Sequence, residues 1–317
     1  MREVLTFSLS IFVFCIGCQG HVPPPGKEKP EPEVESAPVK TEPYREPLVP
    51  KVDPPETPDS TGIFSESLGK HTAEIVPFPP VEDLVAQVDA YIDKIGSSLA
   101  DLVGTTKYIE DAADIARDAN ALALVALALG LAQDDSKYKK SASQIIEATK
   151  SLADAKNFDE GQKAYTALKE SLTATGGNPL SWTEKVANLK QTMKALPNLN
   201  SAVKRVSDTE RKLFVILGRP NAQQVYSQLA ALAVISQGSI PNVDETTKPD
   251  ATAEWKRLCE EFRDAAIKTN AAAHQYAKDN ADGKEPDYSV FSTRFRAMTD
   301  SCDDCHKVFF PGAVGKE

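Results

Sequence analysis

The chain has 317 residues, of which 41% are hydrophobic and 26% charged, so it is long enough to bury at least one sizeable core. Its formal net charge is −10, and its Lys and Arg residues are scattered among Asp and Glu. Since no basic stripe could follow a phosphate backbone, this composition argues against nucleic acid as a partner and indicates a globular protein.

The chain begins MREVLTFSLSIFVFCIGC, with one Arg before an apolar run over residues 4–17. This run is too short to span a bilayer comfortably and is typical of a signal peptide, so we expect an exported protein. The run ends in Cys15-Ile16-Gly17-Cys18, which resembles the lipobox of bacterial lipoproteins. That resemblance implies that residues 1–18 are a signal peptide with its lipobox, and that Cys18 is acylated. The mature protein would then be periplasmic or anchored to a membrane. A plain secretory signal and a retained anchor are the alternatives.

Residues 19–80 form a proline-rich segment that contains fifteen of the 22 prolines, interleaved with Glu and Lys. Such a composition has too little apolar area to offset the entropy of ordering, so we predict a disordered, extended linker. The linker either holds a globular head away from a membrane or is a tail without a spacing role.

From residue 81 onward the pattern is helical throughout. An apolar stripe with spacings of three and four follows Val85, Val88, Ile92, Ile95, Leu99 and Leu102. Residues 118–133 are apolar on nearly all sides, as in a central helix, and amphipathic stretches follow at 138–155 and 158–172. A Gly-Gly-Asn-Pro turn at 176–179 then ends the pattern. We therefore predict a helical bundle over residues 81–178, which contains neither Cys nor His.

A second set of four helices is predicted over residues 179–317. Its first helix carries Val186, Leu189, Met193 and Leu196 on one face; its second covers residues 225–235; its third includes Trp255 and Phe262. The last is the most regular, with core-facing positions Tyr288, Phe291, Phe295, Met298, Cys302, Cys305 and Phe309. The predicted fold is all-α, with two consecutive antiparallel four-helix-bundle-like units that look like a diverged repeat.

The last helix carries the motif Cys302-Asp-Asp-Cys305-His306. Two thiols one helical turn apart can add to the two vinyl groups of one porphyrin, and the following imidazole can reach the iron. Zinc would need further ligands, and the helical body offers only Cys259 and His274. A thioredoxin-type site would follow a strand, which the pattern lacks. A Cys302–Cys305 disulfide stays open because an exported protein meets an oxidising compartment. The motif favours one covalent haem c.

Residues 191–309 resemble the cytochrome c′ family of four-helix-bundle haem proteins. The likeness is carried by LKQTMKALPNLNSAVK, by Trp255 and Phe262 seven apart, and by CDDCHKVF. It implies that His306 is the proximal iron ligand, that Met193 occupies the distal position, and that Trp255 and Phe309 lie in the haem pocket. Three features depart from the family: Phe310 replaces an Arg, Pro197 is expected to interrupt the first helix, and residues 81–178 are additional.

The sixth iron position separates two functions. If the Met193 thioether binds iron, the expected role is electron transfer, a redox carrier rather than an enzyme, with redox proteins as partners. If Met193 only packs, the iron is five-coordinate and suited to binding or sensing gases such as NO or CO. A structural helical adaptor with the Cys302–Cys305 disulfide is the third hypothesis. A homodimer and a membrane contact through the lipid anchor are further expected partners.

Overall fold

The computed structural model describes residues 78–100, 105–207 and 222–311, and these are helical with no β-strand among them. The predicted all-α fold is therefore confirmed. The predicted leader, Cys18 and nearly all of the proline-rich linker lie outside the described residues. In order, the helices are α1 (Val81–Ala100), α2 (Thr105–Leu131), α3 (Ala142–Ala153), α4 (Phe158–Ser171), α5 (Leu189–Ser207), α6 (Ala222–Gly238), α7 (Thr252–Ala281) and α8 (Tyr288–Phe309).

The first four helices pack in succession, α1 on α2, α2 on α3 and α3 on α4, and α4 returns to contact α1. The interior is built on α2, whose residues 121–129 are almost completely buried. This confirms the expectation of an apolar central helix, although α2 begins thirteen residues before the predicted start. A helix that is apolar on every side must be surrounded by other helices, and α2 is.

The second four helices repeat the succession, α5 on α6, α6 on α7 and α7 on α8. Here α6 takes the central place, with fourteen of its residues buried. A short 3₁₀ helix, Ile240–Glu245, connects α6 to the loop before α7. In contrast to α1 and α4, helices α5 and α8 approach each other only loosely, which leaves a seam between them.

Both sets of helices contribute to one continuous core. Helix α6 packs against α1 and α2, and α5 packs against α2, so the two central helices lie side by side. One hydrophobic cluster accordingly includes side chains from α1 to α8. None of the helices within the described residues is long and apolar enough to cross a membrane.

A buried carboxylate joins the two sets of helices. Asp83 on α1 is 0% exposed and accepts hydrogen bonds from Gln223 Nε2 (2.8 Å) and Asn270 Nδ2 (3.0 Å). His274 Nε2 lies 2.8 Å from the same carboxylate, and its ring stacks on Tyr226 at a centroid distance of 3.8 Å. Because a buried carboxylate is stable only with such partners, these contacts fix α1 against α6 and α7.

The Asp83 network predicts a large stability effect. Replacing Asp83 by Ala removes a charged acceptor and leaves buried donors without their partner, so we expect a loss of about 2–4 kcal/mol in the free energy of unfolding. Urea denaturation measures it. The matched control is Glu82→Ala, at the neighbouring exposed position, which should change stability by less than about 0.5 kcal/mol. Equal effects of both substitutions would contradict the role assigned to Asp83.

Candidate functional site

The register of α8 places the cysteine motif in the last two turns of the helix. Its start is set by Asp287, whose carboxylate accepts a hydrogen bond from Ser289 N at 2.8 Å. From there the predicted stripe turns inward, with Phe291 and Met298 fully buried. Cys302, Cys305 and His306 continue on the same side, each half-buried. The motif therefore belongs to a helix that faces the bundle interior.

The motif opens on one cavity between α5, α6, α7 and α8. The structure brings Met193, Trp255, Cys302, Cys305 and His306 together in its wall. All five were candidate residues from the sequence: the cysteines and His306 through their motif, and Met193 and Trp255 through the resemblance to the cytochrome c′ family. The remaining lining residues were not expected: Leu196, Ser236, Ser239, Leu258, Cys259, Phe262 and Ser301.

Trp255 and Phe309 pack against each other beside the cavity. Trp255 is almost fully buried, and its indole Nε1 donates a hydrogen bond to the carbonyl oxygen of Ser239 at 3.0 Å. Phe309 meets the indole edge-on, with ring centroids 5.0 Å apart. Phe309 thus packs behind Trp255 instead of lining the cavity. Its neighbour Phe310 packs edge-on against the His306 ring, at a centroid distance of 6.1 Å.

The cavity is chemically less polar than its three serines suggest. Ser236 Oγ donates to the Cys259 carbonyl, Ser239 Oγ to the Ile235 carbonyl, and Ser301 Oγ to the Met298 carbonyl. Each hydroxyl hydrogen is therefore committed to the backbone. What the α5 side offers to a molecule in the cavity is the thioether and alkyl surface of Met193 and Leu196.

The side chains that line the cavity are those that could attach a haem. The cavity itself is too small for a haem and would have to widen. Two thiols one turn apart, an imidazole directly after them and a thioether opposite are the groups that haem c uses. The cavity volume is about 40 Å³, enough for one or two water molecules. A porphyrin needs far more, so α5 and α8 must separate along their loose seam to admit it.

Pro197 removes a backbone hydrogen bond at Met193. The sequence predicts that Pro197 interrupts the helix, and this is wrong, since α5 continues from Leu189 to Ser207. Proline lacks the N–H that would bond the carbonyl four residues earlier, and its ring crowds that carbonyl. The residue four positions earlier is Met193. The helix therefore tolerates Pro197 at the cost of one backbone hydrogen bond at the candidate iron ligand.

Two of the three thiols that line the cavity have raised pKa values. Burial raises the pKa of Cys305 to about 11. Burial and the neighbouring Cys305 together raise the pKa of Cys259 well above its usual range. Within the described residues, Cys259, Cys302 and Cys305 form no disulfide. The acidic residues Asp303 and Asp304 of the motif point to solvent, where Asp304 pairs with Lys307 at 2.9 Å.

A zinc site receives no support from the geometry. Among the described residues, no group of three or more His, Cys, Asp or Glu side chains is placed to hold a metal ion. His274, one of the two additional ligands considered for zinc, pairs with Asp83 instead. A haem iron takes four ligands from the porphyrin, so this finding does not bear on a haem.

In the first helix set, two tyrosines pack closely on glycines of neighbouring helices. The Tyr165 hydroxyl donates to the Ile92 carbonyl at 3.2 Å and lies directly over Gly96 on α1. Tyr108 is buried against Gly161 on α4, where an added Cβ would come within 2.8 Å of its ring. The first contact closes α1 against α4, and the second holds α2 against α4.

Cys259 belongs to the site although the sequence did not indicate it as a site residue. Its spacing of four residues from Trp255, which puts both on one face of α7, could have indicated it. Leu196 had a similar signal, three residues after Met193. Ser236 and Ser239 have no such signal, because their place in the wall depends on how α6 meets α7, whereas Ser301 directly precedes Cys302 on α8.

The chain matches no known family model, and comparison with characterised proteins and with solved structures finds no significant similarity. The likeness to the cytochrome c′ family accordingly rests on the motif, its place on the last helix and the residues quoted above.

The packing of the Tyr108 ring on Gly161 predicts that a larger residue at position 161 destabilises the protein. Gly161→Ala gains about 1 kcal/mol in helix propensity, but it must displace the buried Tyr108 ring, which costs typically 1–3 kcal/mol. We expect a net loss of up to about 2 kcal/mol in the free energy of unfolding, measured by thermal or urea denaturation. Lys163→Ala, at an exposed position of the same helix, is the control and should be nearly neutral. A stabilised Gly161→Ala protein would contradict the close packing of Tyr108 on Gly161.

Proposed function

We propose that this protein is an exported c-type cytochrome that binds one haem c covalently in its second helix set and transfers electrons. The observation that carries the proposal is the convergence of Cys302, Cys305, His306 and Met193 on one cavity. Chance placement of the motif would not require a thioether on α5 and an indole on α7 to meet it there.

The residues divide the work as follows. The thiols of Cys302 and Cys305 would hold the haem covalently on α8. His306 would bind its iron, and Trp255, whose indole donates a hydrogen bond to the Ser239 carbonyl, would pack beside it. When bound, the haem supplies one-electron redox chemistry, and its potential depends on the axial ligands and the surrounding polarity.

The Met193 side of the cavity favours electron transfer with Met193 as the sixth ligand. A thioether ligand would raise the reduction potential, and the alkyl surface of Leu196 would keep the surroundings of the iron apolar. The second candidate is a five-coordinate haem that binds NO or CO. Its support is the same apolar wall, which offers no hydrogen-bond donor from the three serines to a bound ligand.

The surroundings of the motif suggest the kind of redox partner. Asp303 and Asp304 are exposed on the outer side of α8, next to the cysteines that would hold the haem. A basic surface on a partner protein would be attracted there. Lipid attachment at Cys18 and an extended linker would keep the helical head near a membrane, where such partners are met; acylation at Cys18 belongs to the proposal.

Covalent attachment is the first expected outcome. The full chain, produced in a host that matures haem c, should show a Soret band and a haem stain that survives denaturation. Cys302→Ser with Cys305→Ser should abolish the stain, because no thiol of the motif remains to form a thioether. Cys259→Ser should retain it. Absence of any Soret band in the wild-type protein would reject both haem functions and leave the helical adaptor.

The sixth ligand is tested by Met193→Leu. Electron transfer with Met193 ligation predicts a low-spin wild-type spectrum that becomes high-spin in the variant, together with a lower reduction potential. Met298→Leu is the matched control, because Met298 is buried on α8 outside the cavity; its spectrum should stay low-spin. A high-spin wild-type spectrum would exclude Met193 as ligand and favour gas binding.

A further inference from the structure

The cavity contains a third thiol that the proposed haem attachment does not use. Cys259 lies on α7, is 5% exposed and lines the same cavity as both motif cysteines. It belongs to the small buried cluster of Leu189, Trp255, Leu258 and Phe309, against which Cys305 also packs. Two cysteines from neighbouring helices thus face one small space.

Helix geometry favours this pair over the two motif cysteines as disulfide partners. Residues three apart on a helix have Cβ atoms about 5–6 Å apart, whereas a disulfide needs Cβ atoms about 3.5–4.5 Å apart. Since α8 runs without a break through the motif to Phe309, joining Cys302 to Cys305 would bend the helix. Cys259 and Cys305 line the same small cavity from two helices and pack in the same apolar cluster, so a bond between them needs side-chain rotation and a shift of α7 against α8 but no break in either helix.

We propose that, in the haem-free protein, Cys259 and Cys305 form a disulfide between α7 and α8 that blocks haem attachment. The bond itself is independent of the proposed function, whereas its blocking effect rests on it. The disulfide supplies a redox gate: attachment proceeds only while Cys305 is reduced.

The chemistry requires an oxidant, and a disulfide compound provides it. The two thiols lose two protons and two electrons; oxidised glutathione accepts them and becomes two thiols, by way of a mixed disulfide. Once the S–S bond exists, Cys305 has no S–H to add across a vinyl group, and Cys302 alone remains available.

Peptide mapping tests the bond directly. Full-length protein made without haem maturation is incubated with oxidised glutathione, alkylated and digested with trypsin without reduction. Cys259 lies in the fragment LCEEFR, and both motif cysteines lie in AMTDSCDDCHK. We expect the two fragments to be joined, with the alkyl group on Cys302. Cys302→Ser should keep this link, and Cys305→Ser should lose it.

Two mapping results would overturn the proposal. One is a bond inside AMTDSCDDCHK with LCEEFR alkylated, which is the Cys302–Cys305 disulfide. The other is alkylation of all three cysteines after prolonged oxidation. Neither reading depends on the stability of a variant, because the wild-type protein gives the answer.

Haem loading tests the gate. Protein oxidised beforehand should take up at least several-fold less covalent haem than reduced protein, and Cys259→Ala protein should load equally well after either treatment. Equal loading of oxidised and reduced wild-type protein would overturn the gate. If the joined fragments appear but even reduced protein never takes up haem, the proposed cytochrome function fails while the disulfide stands.

Discussion

The contact between the first and last helices of each four-helix set controls what that set can hold. In the first set, Tyr165 on α4 packs closely on Gly96 of α1, and Tyr108 on α2 packs closely on Gly161 of α4. In the second set, α5 and α8 approach loosely, and thiol, imidazole and thioether groups face the space between them. The same architecture thus gives one closed bundle and one that a planar group could complete.

The first helix set is joined to the second by buried polar contacts. Asp83 on α1 is held by Gln223, Asn270 and His274 on α6 and α7, and a buried carboxylate with three partners resists separation of the two sets. Since α7 also carries Trp255 and Cys259, the first set contributes to fixing one wall of the cavity. Widening of the seam is therefore expected to fall on α5 and α8.

Local patterns were enough to predict the helices and the inward face of α8, because the spacing of apolar residues depends only on the helix period. The resemblance to the cytochrome c′ family implied that Met193, Trp255 and His306 belong to one site. Contacts between residues far apart in the sequence could not be predicted. The pairing of His274 with Asp83 spans 191 residues, and from the sequence His274 was only a possible zinc ligand.

The wrong expectation at Pro197 and the missed Cys259 have different physical origins. Proline removes one backbone hydrogen bond, and the packing of α5 on α2 and α6 compensates for that loss without ending the helix. Cys259 shares its face with Trp255, but a buried cysteine usually packs as a small apolar residue. Only the meeting of α7 with α8 makes it a neighbour of Cys305, and a single sequence contains no measure of that approach.

The most direct test of the account is where the haem lies. Paramagnetic NMR of the haem-loaded full chain should show strongly shifted proton signals from Met193, Leu196 and Trp255, because these side chains line the cavity proposed to hold the haem. Tyr108 and Tyr165 should keep ordinary shifts, since both lie in the first helix set. Shifted tyrosine signals with unshifted Met193 and Trp255 would contradict the assignment of the site to the seam between α5 and α8.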